Sequence, residues 1–163
     1  MSGDNAEGSA ARAACSPEAQ AMIDRLRLAP HPEGGFFREV WRSPVEFPQS
    51  SLPEGYPGPR VALTSIYYLL PTGGRSELHR VRGEEVWMHH QGDDLVLGIG
   101  ETQVEAANPV HAVRLGQGER AALQRVVPPG HWQQAEAKPG PFGFALVGCV
   151  VAPGFDFEDF EMA

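Results

Sequence analysis

Between residues 61 and 151 the chain is a succession of short strand-like runs with no helical stripe between them. The runs are 61–70, 86–88, 95–99, 110–115, 121–127 and 142–151. Turn signals separate them: Gly92-Asp93-Asp94, Asn108-Pro109, Gly116-Gln117-Gly118, Pro128-Pro129-Gly130 and Pro139-Gly140-Pro141. β-branched and aromatic residues favour a pleated, half-buried backbone, and Gly and Pro supply turn geometries. Parallel pairing needs a long crossover between strands, and these connections are too short for one. The spacing therefore predicts an antiparallel sandwich or barrel. The 19 glycines and 15 prolines agree with a turn-rich, all-β chain rather than a helical bundle.

One helix is expected near Pro17–Leu26. Ser16 is the N-cap, Pro17 the first helical residue and Glu18 an acid in the first turn, and Ala19, Met22, Ile23 and Leu26 form one apolar stripe. A single short amphipathic helix must lie on something else, most simply a sheet. Residues 1–15 read as a disordered tail and 16–163 as a single domain. The proline-rich stretch 44–59 reads as a long exposed loop. The end, 153–161, alternates apolar with acidic residues and suits an edge strand or a segment docked on a partner.

Several classes of partner are excluded. The net charge is −8 and no Lys/Arg block exists, which argues against nucleic acid. No apolar run approaches the roughly 20 residues needed to cross a bilayer, and the N-terminus shows no signal-peptide pattern, so no membrane association and a cytoplasmic location are expected. Cys15 and Cys149 form neither a disulfide framework nor a zinc motif.

The chemistry concentrates in residues 73–92, which hold His79, Glu84, Glu85, Trp87, His89 and His90. On a strand, residues two apart share a face, so Glu85, Trp87 and His89 point one way. Trp87 has the bulk to select the interior, which turns Glu85 inward too. A carboxylate facing an apolar interior is costly without a partner or a task. His79 is expected on the preceding strand, across the turn 82–84, side by side with Glu85. Arg38 shares a face with Phe36 and Val40 and reads as an anion anchor. The turn Glu33-Gly34-Gly35 reads as backbone geometry. His90, His111 and His131 read as surface or turn residues.

Gly73, His79, Glu85 and Gly92 fall at the spacings of the first cupin motif, and Pro128-x-Gly130-x-x-Gln133 resembles the second. More closely, the chain resembles the Cupin_5 (DUF985) branch of the cupin superfamily. The stretches that carry the likeness are 31–39 (HPEGGFFRE), 64–70 (TSIYYLL), 78–81 (LHRV), 84–87 (EEVW) and 146–161 (LVGCVVAPGFDFEDFE). The resemblance implies a double-stranded β-helix, a jelly-roll cupin barrel with one short N-terminal helix, a pocket in its mouth and a homodimer. Metal-binding cupins usually offer His, His, Glu and His. Here Val81 and Gln133 stand at two of those positions, so no metal and no cofactor are expected. If a metal were held, the resemblance would assign His79, Glu85 and Gln133.

The function that follows is binding of a small polar molecule, sugar-like or a carboxylate, in the barrel, with metal-independent isomerisation or epimerisation. His79 would be the general base and Glu85 its orienting partner, because histidine titrates near neutrality. Tyr67 would supply the acid. Arg38, Trp87, Gln133, Ser65 and Trp132 would bind the ligand. Two alternatives come from other classes: a non-catalytic small-ligand-binding module, and a metal-dependent dioxygenase or isomerase.

Overall fold

In the computed structural model the described residues are 15–163; of the expected tail, residues 1–15, the first fourteen lie outside them, and Cys15 is half-buried against the core under the helix rather than part of a tail. Two antiparallel sheets face each other as a jelly roll. Helix α1 (Pro17–Leu26) precedes thirteen strands. These are β1 (Ala29–Pro30), β2 (Phe36–Arg42), β3 (Glu46–Phe47), β4 (Arg60–Val61), β5 (Thr64–Pro71), β6 (Arg75–Val81), β7 (Glu84–Gly92), β8 (Leu95–Gly100), β9 (Ala112–Leu115), β10 (Gln124–Val127), β11 (Trp132–Ala137), β12 (Phe144–Ala152) and β13 (Phe160–Met162). One sheet runs β1-β2-β5-β12-β7-β10, the other β13-β6-β11-β8-β9, and β3-β4 is a small separate ribbon. A short helix, α2 (Gln103–Ala107), opens on the capping box of Thr102 and Glu105 and fills the connection after β8, where a bare turn was expected.

Alternation along the strands builds two cores. Tyr68 and Leu70 of β5, Trp87 of β7, Val147 and Cys149 of β12, and Leu95 and Leu97 of β8 meet between the sheets. The alternate residues Leu69, Phe144 and Leu146 point outward and are covered by Ala19, Met22 and Ile23 of α1. The helix forms where expected: the Ser16 hydroxyl accepts the Ala19 N–H at 3.1 Å, and Arg27, in the left-handed conformation, ends it. Ile23 is fully buried, a placement that stabilises by about 1.5–3 kcal/mol. The part of the larger sheet's outer face that lies under α1 is thus a second core, not a solvent face.

β6 and β7 are consecutive but belong to different sheets. The chain crosses from layer to layer at Gly83, where a Cβ would press on the carbonyls of Ala152 and Pro153. Residues 153–159 then strap across that end of the sandwich before β13 pairs with β6, placing Phe160 opposite Val81. The expected terminal edge strand is present; Phe155 and Phe160 are half-buried in their own chain, and Phe157 stays exposed. No helix among the described residues is long and apolar enough to cross a membrane.

Candidate functional site

Under the strap lies a cavity of about 210 Å³. Its floor is Glu33, His79 and Glu85, its walls are apolar, and Glu39, Arg42 and Asp156 stand among the lining residues. Glu33 comes from the turn between β1 and β2. That turn is pinned on three sides: Glu77 N–H donates to the Glu33 carbonyl at 2.7 Å, Tyr68 Oη–H donates to the Gly34 carbonyl at 2.7 Å, and Gly34 and Gly35 adopt positive φ. A Cβ on Gly34 would run into the Arg75 carbonyl oxygen, so the chain needs glycine there to lie this close to β6. The backbone reading of this turn is correct for the glycines and incomplete for Glu33, whose carboxyl enters the cavity.

His79 Nδ1 is 2.7 Å from the Glu77 carbonyl oxygen, an atom that can only accept, so Nδ1 carries a proton. Nε2 of the neutral ring is then a lone pair, and it lies 3.1 Å from Glu33 Oε2. The other Glu33 oxygen accepts the Ser76 hydroxyl at 3.0 Å. Burial raises the Glu33 pKa to about 7, against smaller opposing contributions from Ser76 and Tyr68, and burial lowers that of His79. At 3.1 Å the two atoms can share one proton, which Glu33 Oε2 carries when Nε2 is a lone pair. His31 accepts the Glu33 backbone N–H on Nδ1 at 3.1 Å, and burial, with His79 nearby, pushes its pKa down to about 4.

Glu85 reaches the same floor from the opposite sheet. Burial, chiefly, raises its pKa to about 7, with Glu33 adding in the same direction and His79 opposing. Its Oε2 accepts the Gln133 amide N–H at 2.6 Å. Gln133 is oriented by Trp87, whose indole N–H donates to Gln133 Oε1 at 2.8 Å. Because an indole can only donate, the amide oxygen must face Trp87 and the amide nitrogen must face Glu85.

His79 and Glu85 thus share a cavity, as expected, but from facing layers rather than side by side, and the partner on His79 Nε2 is Glu33. Trp87 and Gln133 are fully buried behind Glu85 and shape the site without lining it. Tyr67, Ser65 and Arg38 do not reach it: Tyr67 packs beside α1 and edge-on to His90, Arg38 lies over the Tyr67 ring, and Ser65 shares the Tyr67 face. Trp132 points out of the other sheet under Arg80. His89 is buried at the far end of β7, against the Asp93 carbonyl and Gln117.

Glu33, His31 and the strap residues Phe155, Phe157 and Phe160 were not anticipated as site residues. The one signal for Glu33 was an acid set in a Pro-x-Gly-Gly turn, a position that glycine geometry alone does not require to be acidic.

The metal set that the two motif resemblances would assign, His79, Glu85 and Gln133, does not fit a divalent ion. The Gln133 oxygen is committed to Trp87, and its amide nitrogen has no lone pair to give. Among the described residues no three His, Cys, Asp or Glu side chains are disposed to hold one metal ion.

Comparison with known proteins identifies the family and the fold. The model of the cupin superfamily family Cupin_5 (DUF985) matches residues 20–163. The chain belongs to this family. An uncharacterized Saccharomyces cerevisiae protein, YML079W, is 31% identical over 150 residues, covering 86% of this chain and 72% of its own. A hypothetical protein from Leishmania major is 36% identical with a TM-score of 0.72, covering 89% of this chain and 86% of that one. A Shewanella oneidensis protein is 33% identical with a TM-score of 0.69, covering 89% and 84%. This Cupin_5 chain is a cupin-domain protein whose buried polar centre is Glu33, His79 and Glu85.

Proposed function

We propose that this cupin uses the Glu33–His79 pair and Glu85 as acid and base for proton transfer at carbon, without a metal, in a small carbonyl or hydroxy-carbonyl molecule. The observation that carries the reading is the His79 geometry: Nδ1 is committed to a backbone carbonyl, so Nε2 can only take a proton from Glu33 or return it. Acid–base catalysis works best when the pKa of the catalytic group is near the working pH, and both carboxyls are held at about 7. In the forward step Glu85, ionised, takes the carbon-bound proton and becomes a neutral acid. The Glu33–His79 pair gives its proton to the substrate. The reverse step restores both groups. The cavity is smaller than the roughly 300–1,000 Å³ of drug-sized ligand sites, which favours a compact substrate over one carrying a nucleotide.

The test is washout of carbon-bound hydrogen in D₂O, followed by NMR across a panel of small hydroxyaldehydes, hydroxyketones and aminoketones. Exchange above the buffer rate that Glu85→Gln abolishes is expected. Saturable binding without exchange would overturn catalysis and leave the ligand-binding-module reading.

The expected homodimer is part of this proposal on a new basis. Phe155 and Phe160 of the strap are half-buried in their own chain, but Val40, Trp41, Val45 and Phe47 are exposed apolar side chains on β2, β3 and their connection, with Trp41 57% exposed. Sedimentation of the full chain at micromolar concentration checks it; a 17.7 kDa species alone would count against it.

A further inference from the structure

We propose that the cavity under the strap recognises a small organic cation, an alkyl-substituted ammonium group whose nitrogen sits by Glu85 and whose carbon skeleton packs on the phenylalanine rings. The proposal rests on the reading of this cavity as a small-molecule site and narrows its carbonyl substrate to one that also carries an ammonium group, such as an aminoketone.

The first support is charge. Four carboxyl side chains, Glu33, Glu39, Glu85 and Asp156, line the cavity, and Arg42 is the one arginine or lysine among the lining residues. Arg42 is already committed: its Nε and one terminal nitrogen bind both Glu39 oxygens, each at 3.0 Å. Neither histidine supplies a second cation. His31 uses Nδ1 to accept the Glu33 N–H, and His79 presents a lone pair to Glu33. Among the described residues Glu85 and Asp156 stand in no ion pair; Glu85 accepts from Gln133, and Asp156 caps the Glu158 N–H. A carboxylate buried in an apolar setting gains most from a cation that comes to it.

The second support is the wall. Phe37, Phe155, Phe157, Phe160 and the His31 ring line it. They meet edge to face, with Phe155–Phe157 centroids 5.0 Å apart at 82° and Phe157–Phe160 at 5.9 Å and 80°. The negative face of an aromatic ring attracts an ammonium group, and a polyol finds no hydrogen-bond partner on it. A carboxylate ligand would meet like charge on the floor, so the carboxylate side of the sequence-based expectation loses support. The volume of about 210 Å³ sets the size of the guest.

The experiment titrates the full chain at pH 8 with isobutylammonium, isobutanol and isovalerate, which share one isobutyl group and differ in head-group charge, with protein NMR shifts as the readout. The cation is expected to bind about tenfold tighter than the alcohol, a difference one well-placed charge supplies, and isovalerate weakest. Glu85→Gln should bring cation and alcohol within about twofold, in a variant whose spectrum shows it folded. The proposal is overturned by equal or tighter binding of the alcohol or of isovalerate, by cation selectivity that survives Glu85→Gln, or by no cation binding at all. Binding of the alcohol alone would sink the cation and leave the small-molecule reading standing. Deuterium washout is read independently of all three probes.

Discussion

Asp159 and Glu85 are acids on either side of one phenylalanine. Phe160 lines the cavity that holds Glu85 and also an open groove that holds Asp159. Both are buried, at 9% and 7% exposure. Asp159 is matched by charge: Arg60 Nε at 2.7 Å and a terminal Arg60 nitrogen at 3.1 Å, with Arg82 Nε at 3.0 Å. Both arginines lie over the Tyr56 ring, so the clasp ties the 44–59 loop and the strap to the sandwich. Among the described residues Glu85 has two neutral partners, the Gln133 amide and the Cys149 thiol, and no ion pair, and burial raises its pKa to about 7. Equal burial therefore produces opposite roles. An acid with fixed cations is a fastening; an acid without one is a group free to exchange a proton or to meet a charged guest.

The sharpest break of this comparison is activity. Glu85→Gln should lower proton transfer by roughly 10²–10⁴-fold while the melting temperature at pH 7.5 stays level or rises. Asp159→Ala should do the opposite kind of damage. Arg60 would keep the Pro59 carbonyl at 2.7 Å and Glu158 at 3.4 Å but lose its two shortest charged contacts, a loss of about 1–3 kcal/mol, and the thermal melt should drop by about 5 °C. If Glu85→Gln destabilised as much as Asp159→Ala, Glu85 would be a fastening too.

The pH dependence of stability follows from the raised carboxyl pKa values. Glu33 and Glu85 sit at about 7 in the fold against 4.5 ordinarily, so the fold keeps protons the unfolded chain gives up. Their contribution is fully present below about pH 4.5 and is lost as the pH rises through about 7. His31, pushed down to about 4, works in the opposite sense: its contribution is present above about 6.5 and is lost as the pH falls through 4. The wild-type melting curve thus mixes the two. The difference between Glu85→Gln and wild type removes the histidine. It should grow in favour of the variant between pH 4.5 and 7, reaching on the order of 3 kcal/mol, and stay flat above. A difference independent of pH would mean that Glu85 is already ionised in the fold.

The smallest effect is expected at the strap. Phe157 is 55% exposed, so Phe157→Ala should move the melting temperature by no more than about 2 °C. Ligand affinity should fall by about three- to tenfold, as removal of one aromatic wall implies. Unchanged affinity in the isobutylammonium titration would take the strap out of the site.

The sequence by itself determined what depends on neighbours along the chain. Strand-and-turn spacing carried the antiparallel class, Ser16-Pro17 and the Ala19–Met22–Ile23 stripe carried the helix, and the period of two placed Glu85 and Trp87 inward together. The same period applied to β2 put Arg38 on the face of Phe36 and from there in the pocket, and the assignment of Tyr67 of β5 to it had no face argument behind it; neither is found there. Both faces of that sheet are apolar, one toward the facing sheet and one under α1, so alternation shows that two faces exist without saying which is inside. Only the tertiary structure decided that β6 and β7 lie in different layers, which sets His79 across from Glu85 instead of beside it. It also decided that a turn some forty-five residues upstream of His79 lays Glu33 against Nε2. That contact has no local period, because it is fixed by a glycine turn resting on a strand distant in sequence, and a pattern read along the chain does not register which distant segments touch.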